Sequence, residues 1–266
     1  MSCTCPDARV LSEAESESRI RLFCFPYAGS SAQIFRGWQQ ELPNEIEVSP
    51  VHLPGRGKRG REKPFTELLS LAEVLAAELS PHIDKSYALF GHSVGATIAF
   101  EVARALRREG LPLPVHLFVS GCRAPQLSHT SYRSYELPSA DLIGRLRKLN
   151  GTPSPILESP VIMEFFLPII RADLQMIQTY NYPAETPLSC PISAFGGWQD
   201  LEEPPEMISA WREQTTSSFQ QQMFAGDHFF LHSEQDHLLQ TISQQLTFTR
   251  EAGVSIKPEA QAPGSI

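Results

Sequence analysis

The sequence reads as an α/β fold, a mainly parallel sheet with helices on both faces and a helical segment inserted between two of its strands. Three observations lead there. Short apolar runs of strand length alternate with longer segments of helical periodicity. The 266 residues, 41% hydrophobic and 20% charged, suit one large α/β domain and exclude a wholly disordered chain. One stretch, 137–182, carries helical spacing without a convincing strand and interrupts the alternation.

Taken in order, residues 1–18 are polar, rich in Ser and Glu, and are expected to form a flexible leader ahead of a domain spanning 19–250. Ile20-Arg21-Leu22-Phe23-Cys24-Phe25 predicts a buried strand closed by Pro26. Glu47 to Leu53 predicts a second, with Pro50 pointing to an edge position. Leu68, Leu69, Leu71, Val74, Leu75 and Leu79 recur with helical spacing over 68–79. Tyr87 to Phe90 predicts a third strand. A helix then runs from Val94 to about Glu109, with Ile98, Val102 and Leu106 on one face and Gly110 as a stop. Val115 to Val119 is a fourth strand. In the insertion, Leu142, Leu146 and Leu149 share one helical face, as do Phe166, Ile169, Ile170, Leu174 and Ile177; such an excursion beside a sheet is expected to form a lid. Pro191 to Phe195 and Phe219 to Phe224 complete the strands, and a last helix is expected from about Ser233 to Thr247. Residues 251–266, with Gly, Pro, Ala and Ser and no periodic apolar face, predict a disordered tail.

The charge balance narrows the function classes. With 22 Lys plus Arg against 30 Asp plus Glu, the net charge is −8, which argues against a generic nucleic-acid binder. No apolar run approaches a membrane span, and the N-terminus lacks a basic-then-apolar export pattern, so a cytoplasmic location is expected. The five cysteines, Cys3, Cys5, Cys24, Cys122 and Cys190, are too sparse for a disulfide scaffold. Cys3-Thr4-Cys5 has no His or Cys cluster beside it and is not expected to bind metal.

The strongest local signal is Gly91-His92-Ser93-Val94-Gly95, set between a strand and a helix. That context makes it a nucleophile elbow: the glycines relieve crowding where the backbone reverses, and Ser93 stands at the tip. A serine hydroxyl needs a base. Of eight histidines, His228 follows the last strand and can reach the elbow; His52, His82, His92, His116, His129, His232 and His237 lack that placement. Asp200, after the strand ending at Phe195, gives the chain order Ser, Asp, His of an α/β-hydrolase, with Glu202 and Glu203 as near rivals. Asp227 is adjacent to the base, and Asp173 lies in the insertion, where a structural or ion-pair role is expected. The oxyanion donors are expected to be the backbone N–H of Val94 and, from the turn after the first strand, that of Ala28.

These residues carry a family resemblance. Leu22-Phe23-Cys24-Phe25-Pro26-Tyr27-Ala28-Gly29, Leu53-Pro54-Gly55-Arg56-Gly57, Phe90 to Gly95, Gly151-Thr152-Pro153, Leu167 to Asp173 and Gly226 to Leu231 together resemble the type II thioesterases, the editing enzymes of polyketide and nonribosomal peptide assembly lines. The resemblance runs in order from about Ile20 to Thr247. It implies an α/β-hydrolase core with a helical lid after the sixth strand of the full fold. It implies hydrolysis of acyl thioesters from the phosphopantetheine arm of an acyl or peptidyl carrier protein by a stand-alone enzyme; a monomer is the default expectation, and serine chemistry is expected to need no cofactor or metal. It supports Ser93, His228 and Asp200 as nucleophile, base and acid, and Ala28 and Val94 as oxyanion donors. Met163, Phe165, Phe166, Leu167 and Ile170 are candidates for an acyl channel in the lid. The run Arg56, Lys58, Arg59, Arg61 and Lys63 is a candidate docking surface for an acidic carrier protein. The chain departs from the family in having Val94 for the usual Met or Leu, and Asp227 for the usual Gly. The latter puts a second carboxylate beside the base, where it would raise the base's pKa. Two other readings stay open: a hydrolase of acyl-CoA or small esters, and a non-catalytic interaction module on the same fold.

Overall fold

The computed structural model describes residues 20–127 and 133–251. The proposed leader, nearly all of the proposed tail, Cys3, Cys5 and His129 lie outside the described residues. Six strands form one sheet: β1 (Ile20–Phe25), β2 (Ile46–Pro50), β3 (Tyr87–His92), β4 (His116–Ser120), β5 (Ile192–Gly197) and β6 (Phe219–Phe224). All pairs are parallel, in the order β2-β1-β3-β4-β5-β6. The helices are α1 (Trp38–Glu41), α2 (Leu68–Leu79), α3 (Val94–Arg108), α4 (Ser139–Leu149), α5 (Ser154–Leu157), α6 (Pro160–Gln178), α7 (Pro205–Ser209), α8 (Phe230–Ser233) and α9 (Gln235–Glu251).

Alternation within the strands divides the core into two layers. Phe23, Phe25, Leu89, Leu117 and Ala194 point to the side covered by α2 and α3. Leu22, Cys24, Ala88, Phe90, Phe118 and Phe195 point to the other, where Phe35, Trp38 and the apolar stripe of α9 (Leu238, Leu239, Ile242, Leu246) cover them. Each large apolar side chain so buried contributes about 2 kcal/mol. Pro50 does end an edge strand: β2 pairs only with β1, and Pro50 lies opposite Cys24. The second strand ends at Pro50, not at the expected Leu53: Val51 N–H still reaches Cys24 O at 2.9 Å, but β1, the strand it pairs with, closes at Phe25 before Pro26. The last helix continues to Glu251, past the expected end at Thr247.

The order reverses between β1 and β3: the chain leaves β1 to one side for β2 and returns to the other side for β3. The loops after these two strands therefore part and leave a crevice at the carboxyl edge of the sheet, where ligands bind in such folds. Between β4 and β5, α4, α5 and α6 form the inserted layer, with its own small apolar core of Leu142, Leu157, Met163 and Ile170.

Candidate active site

Ser93 sits at the tip of β3 with φ 55° and ψ −125°, a conformation non-glycine residues rarely adopt. The geometry explains both elbow glycines. A Cβ on Gly91 would run into the Gly95 carbonyl, and one on Gly95 would run into the carbonyls of Phe25 and Pro26. The Ser93 N–H is held by Ser120 O at 2.8 Å.

His228 is brought to Ser93 by pairing between two loops. Trp198 N–H donates to Phe224 O and Gln199 N–H to Gly226 O, both at 2.9 Å. Gly197 permits this approach, since a Cβ there would strike the Gly226 and Asp227 carbonyls. The loop after β5 thus delivers Asp200 beside His228. His228 Nδ1 lies 2.7 Å from Asp200 Oδ2, and Nε2 lies 3.0 Å from Ser93 Oγ. An Nδ1–H donated to the carboxylate leaves Nε2 to accept the serine proton. Asp200 Oδ1 in turn accepts the N–H groups of Glu202 (3.0 Å) and Glu203 (3.2 Å).

Of the three candidate carboxylates, Asp200 is the one in contact with the imidazole. Glu202 pairs with Arg145 of the lid and Glu203 with Arg123, so Asp200 alone faces the imidazole. Burial works against the Asp200 charge, but His228 and the two backbone N–H groups override it and lower the pKa. Burial likewise opposes charge on His228, yet the Asp200 hydrogen bond and the charges of Asp200, Glu203 and Glu202 raise its pKa. Burial pushes Glu203 up to about 7 against the opposing Arg123. The expectation that Asp227 would raise the base is not met. Its carboxylate turns aside to accept the Phe229 N–H at 2.9 Å. His92 packs behind the elbow, buried, with Nδ1 2.9 Å from Ser120 Oγ, and burial keeps it neutral.

A cavity of about 250 Å³ opens onto Ser93 and His228. Ala28 and Val94 both line it; Val94 is the first residue of α3, where a backbone N–H has no intrahelical acceptor. Of the lid candidates, Met163, Phe166 and Ile170 line the cavity. Leu167 does not; it packs within the lid's own core. Phe165 is 71% exposed on the outer face of α6. Sequence reasoning missed the walls given by Cys122 after β4 and by Leu146 and Leu149 of α4, whose apolar character equally fits ordinary core. Gly151, part of a block that carries the family resemblance but given no role there, leaves room for the Phe229 ring, which also lines the cavity.

The cationic run is also corrected. Arg56 is only 7% exposed and grips the buried Asp173, with which it forms an ion pair. Arg59 is tied to Glu62 and Glu78. Lys58, Arg61 and Lys63 remain on the surface. Among the described residues, no group of three or more His, Cys, Asp or Glu could hold a metal ion, and no helix is long and apolar enough to cross a membrane. Cys24, Cys122 and Cys190 are buried free thiols, each raised in pKa by burial.

Known proteins share this architecture. The thioesterase domain family model matches residues 20–246. The gramicidin S biosynthesis protein GrsT of Aneurinibacillus migulanus is 42% identical over 89% of this chain and 93% of its own length. Among solved structures, the RedJ thioesterase from the prodiginine pathway of Streptomyces coelicolor superposes with a TM-score of 0.82 at 42% identity, covering 87% of this chain and 92% of that one. The type II thioesterase BorB from the borrelidin biosynthetic cluster gives 0.80 at 35% identity, covering 86% and 93%. With its elbow, residues in the chain order Ser, Asp, His that meet in space with the His between the other two, and a match over the whole described core, the chain belongs to the thioesterase domain family and is an α/β-hydrolase acting on thioesters.

Proposed function

We propose that this thioesterase hydrolyses acyl groups from the phosphopantetheine arm of acyl or peptidyl carrier proteins. It acts in trans, as a cytoplasmic monomer, to clear aberrant or stalled chains from a polyketide or nonribosomal peptide synthase. The observation that carries the chemistry is the unbroken hydrogen-bonded line from Asp200 through His228 to Ser93 at the mouth of an apolar, lid-covered cavity. Relatives named for gramicidin S, prodiginine and borrelidin biosynthesis support the substrate class.

In this reading Ser93 Oγ attacks the thioester carbonyl while His228 Nε2 takes its proton. The backbone N–H groups of Ala28 and Val94 receive the developing oxyanion. His228 then returns the proton to the departing pantetheine sulfur, leaving an acyl-serine. Water, deprotonated by His228, attacks that ester, and collapse releases the acid and restores Ser93. Asp200 stays ionised throughout and stabilises the imidazolium. The chemistry calls on no metal or redox cofactor; phosphopantetheine arrives with the substrate. The apolar wall of Met163, Phe166 and Ile170 would hold the acyl chain.

The test is mass spectrometry of a carrier protein loaded with acetyl and longer acyl groups and then incubated with the enzyme. Free carrier protein should accumulate with wild type. With Ser93→Ala, turnover should fall by about 10⁴-fold or more without a change in melting temperature. Wild-type rates in that variant would overturn the mechanism. Equal kcat/KM on acyl-CoA and on acyl-carrier protein would overturn the substrate class.

A further inference from the structure

The turn that carries Ala28 belongs to no helix or strand, yet it must hold one N–H in a fixed direction. Its own bonds set part of that direction. Tyr27 O accepts the Ser30 N–H at 3.1 Å and the Ser30 hydroxyl at 2.6 Å. Tyr27 C=O and Ala28 N–H share one planar trans peptide and point opposite ways. While Tyr27 O faces into the turn, Ala28 N–H must face out of it.

The rest of the turn is held from two distant elements. Asp173 of α6, 1% exposed, accepts the Gly29 N–H through Oδ2 at 2.7 Å. Arg56, from the loop after β2, binds the same carboxylate with both Nη atoms, at 2.5 Å to Oδ2 and 2.7 Å to Oδ1. Arg56 Nη1 also reaches Ser30 O at 3.4 Å. Gly29 has φ +73°, and its bare α-carbon lies against Ile170, one turn before Asp173 on α6; any Cβ there would press into that side chain. Gly29, inside the turn that the Tyr27–Ser30 bond closes, and Ser30, at its end, are therefore both anchored. A buried ion pair adds little net stability over an apolar pair of the same shape, so stability does not account for a charge pair at this place.

We propose that Asp173 and Arg56 are positioning residues for the oxyanion site. Asp173 fixes the Gly29 peptide, Arg56 fixes Asp173 and the Ser30 carbonyl, and together they hold the Ala28 N–H at the angle the tetrahedral intermediate needs. Because Asp173 lies on α6, catalytic competence is tied to the seating of a lid helix. The proposal rests on Ala28 being an oxyanion donor, as argued above.

The test compares two double variants that both remove the buried charges, Arg56→Met with Asp173→Asn and Arg56→Met with Asp173→Leu. The asparagine keeps a carbonyl oxygen for the Gly29 N–H; the leucine does not. On octanoyl-N-acetylcysteamine thioester the leucine variant should lose about 10- to 100-fold in kcat relative to the asparagine variant, with KM within about threefold. Equal kcat in the two folded variants, or a difference confined to KM, would overturn the proposal. Should the leucine variant fail to fold, hydrogen exchange of the wild-type Gly29 amide decides. Protection like that of the sheet amides is expected; exchange as fast as an exposed loop would overturn it. Ser93→Ala, run alongside, separates the two readings. If it stays active the serine mechanism itself fails, and if it is dead while the double variants match, only the positioning role fails.

Discussion

At the scale of single residues, the site depends on backbone room as much as on reactive groups. Gly95 has no Cβ because β1 ends against it, with the Phe25 and Pro26 carbonyls in the way. Gly95→Ala should cost about 3 kcal/mol and most of the activity, read by thermal unfolding and by turnover; an unchanged melting temperature would contradict the close approach. The base carries a pH prediction. Burial alone would lower the His228 pKa, but Asp200, Glu203 and Glu202 raise it above the usual imidazole value. The neutral imidazole is the working form, so kcat/KM should fall as pH drops through that raised value. Glu203→Gln removes one of the charges that raise it and should move the acid limb of the pH–rate profile to lower pH; a shift upward, or none, would show that Glu203 does not reach the base. Removing one member of the Arg56–Asp173 pair strands a buried charge, so Arg56→Ala alone should destabilise by about 3–5 kcal/mol in denaturant unfolding.

Among the elements, α6 does the most to shape the site. Its periodicity is legible despite Pro168, which sits mid-helix on the exposed side, where water can satisfy the carbonyl that loses its partner. The same helix presents Phe166 to the cavity, Leu167 to the lid core and Phe165 to solvent. Consecutive residues thus face three environments, as a rotation of about 100° per residue dictates. Phe166→Ala should favour longer or bulkier acyl groups, raising the kcat/KM ratio of a long-chain to an acetyl thioester by about tenfold. Leu167→Ala should lower stability and leave that ratio alone. A competition assay with mixed acyl thioesters distinguishes the two, and the reverse pattern would mean that the wall is misassigned.

For the whole molecule, the relevant quantity is how charge is distributed about a net −8. Five cations cluster between residues 56 and 63, but folding withdraws two of them: Arg56 into the interior and Arg59 into a fork with Glu62 and Glu78. Lys58, Arg61 and Lys63 are the ones a negatively charged carrier protein could meet. Replacing Lys58 and Arg61 with Glu should lower kcat/KM on acyl-carrier protein several-fold at low salt, by about 1 kcal/mol or more, and flatten its salt dependence, while kcat/KM on a small thioester stays put. Equal loss on both substrates would place the effect in the fold and not in docking.

The sequence by itself determined the strand–helix alternation and the elbow, singled out Ser93 and His228, and left Asp200 with Glu202 and Glu203 as its near rivals. Each of these rests on local chemistry: periodicity, glycine at a forced reversal, and the order of loops along a parallel sheet. What needed the tertiary structure was every pairing between residues far apart in the chain. Asp200 is the carboxylate that meets the imidazole, while the side chains of Glu202 and Glu203 are paired with Arg145 and Arg123. Arg56 looks like a surface cation until Asp173, 117 residues later, buries it. Leu167 and Phe166 both read as apolar positions in the sequence, and the rotation of one helix decides which lines the cavity. Such contacts depend on how whole elements dock, and packing of that kind leaves no signature in the neighbouring residues.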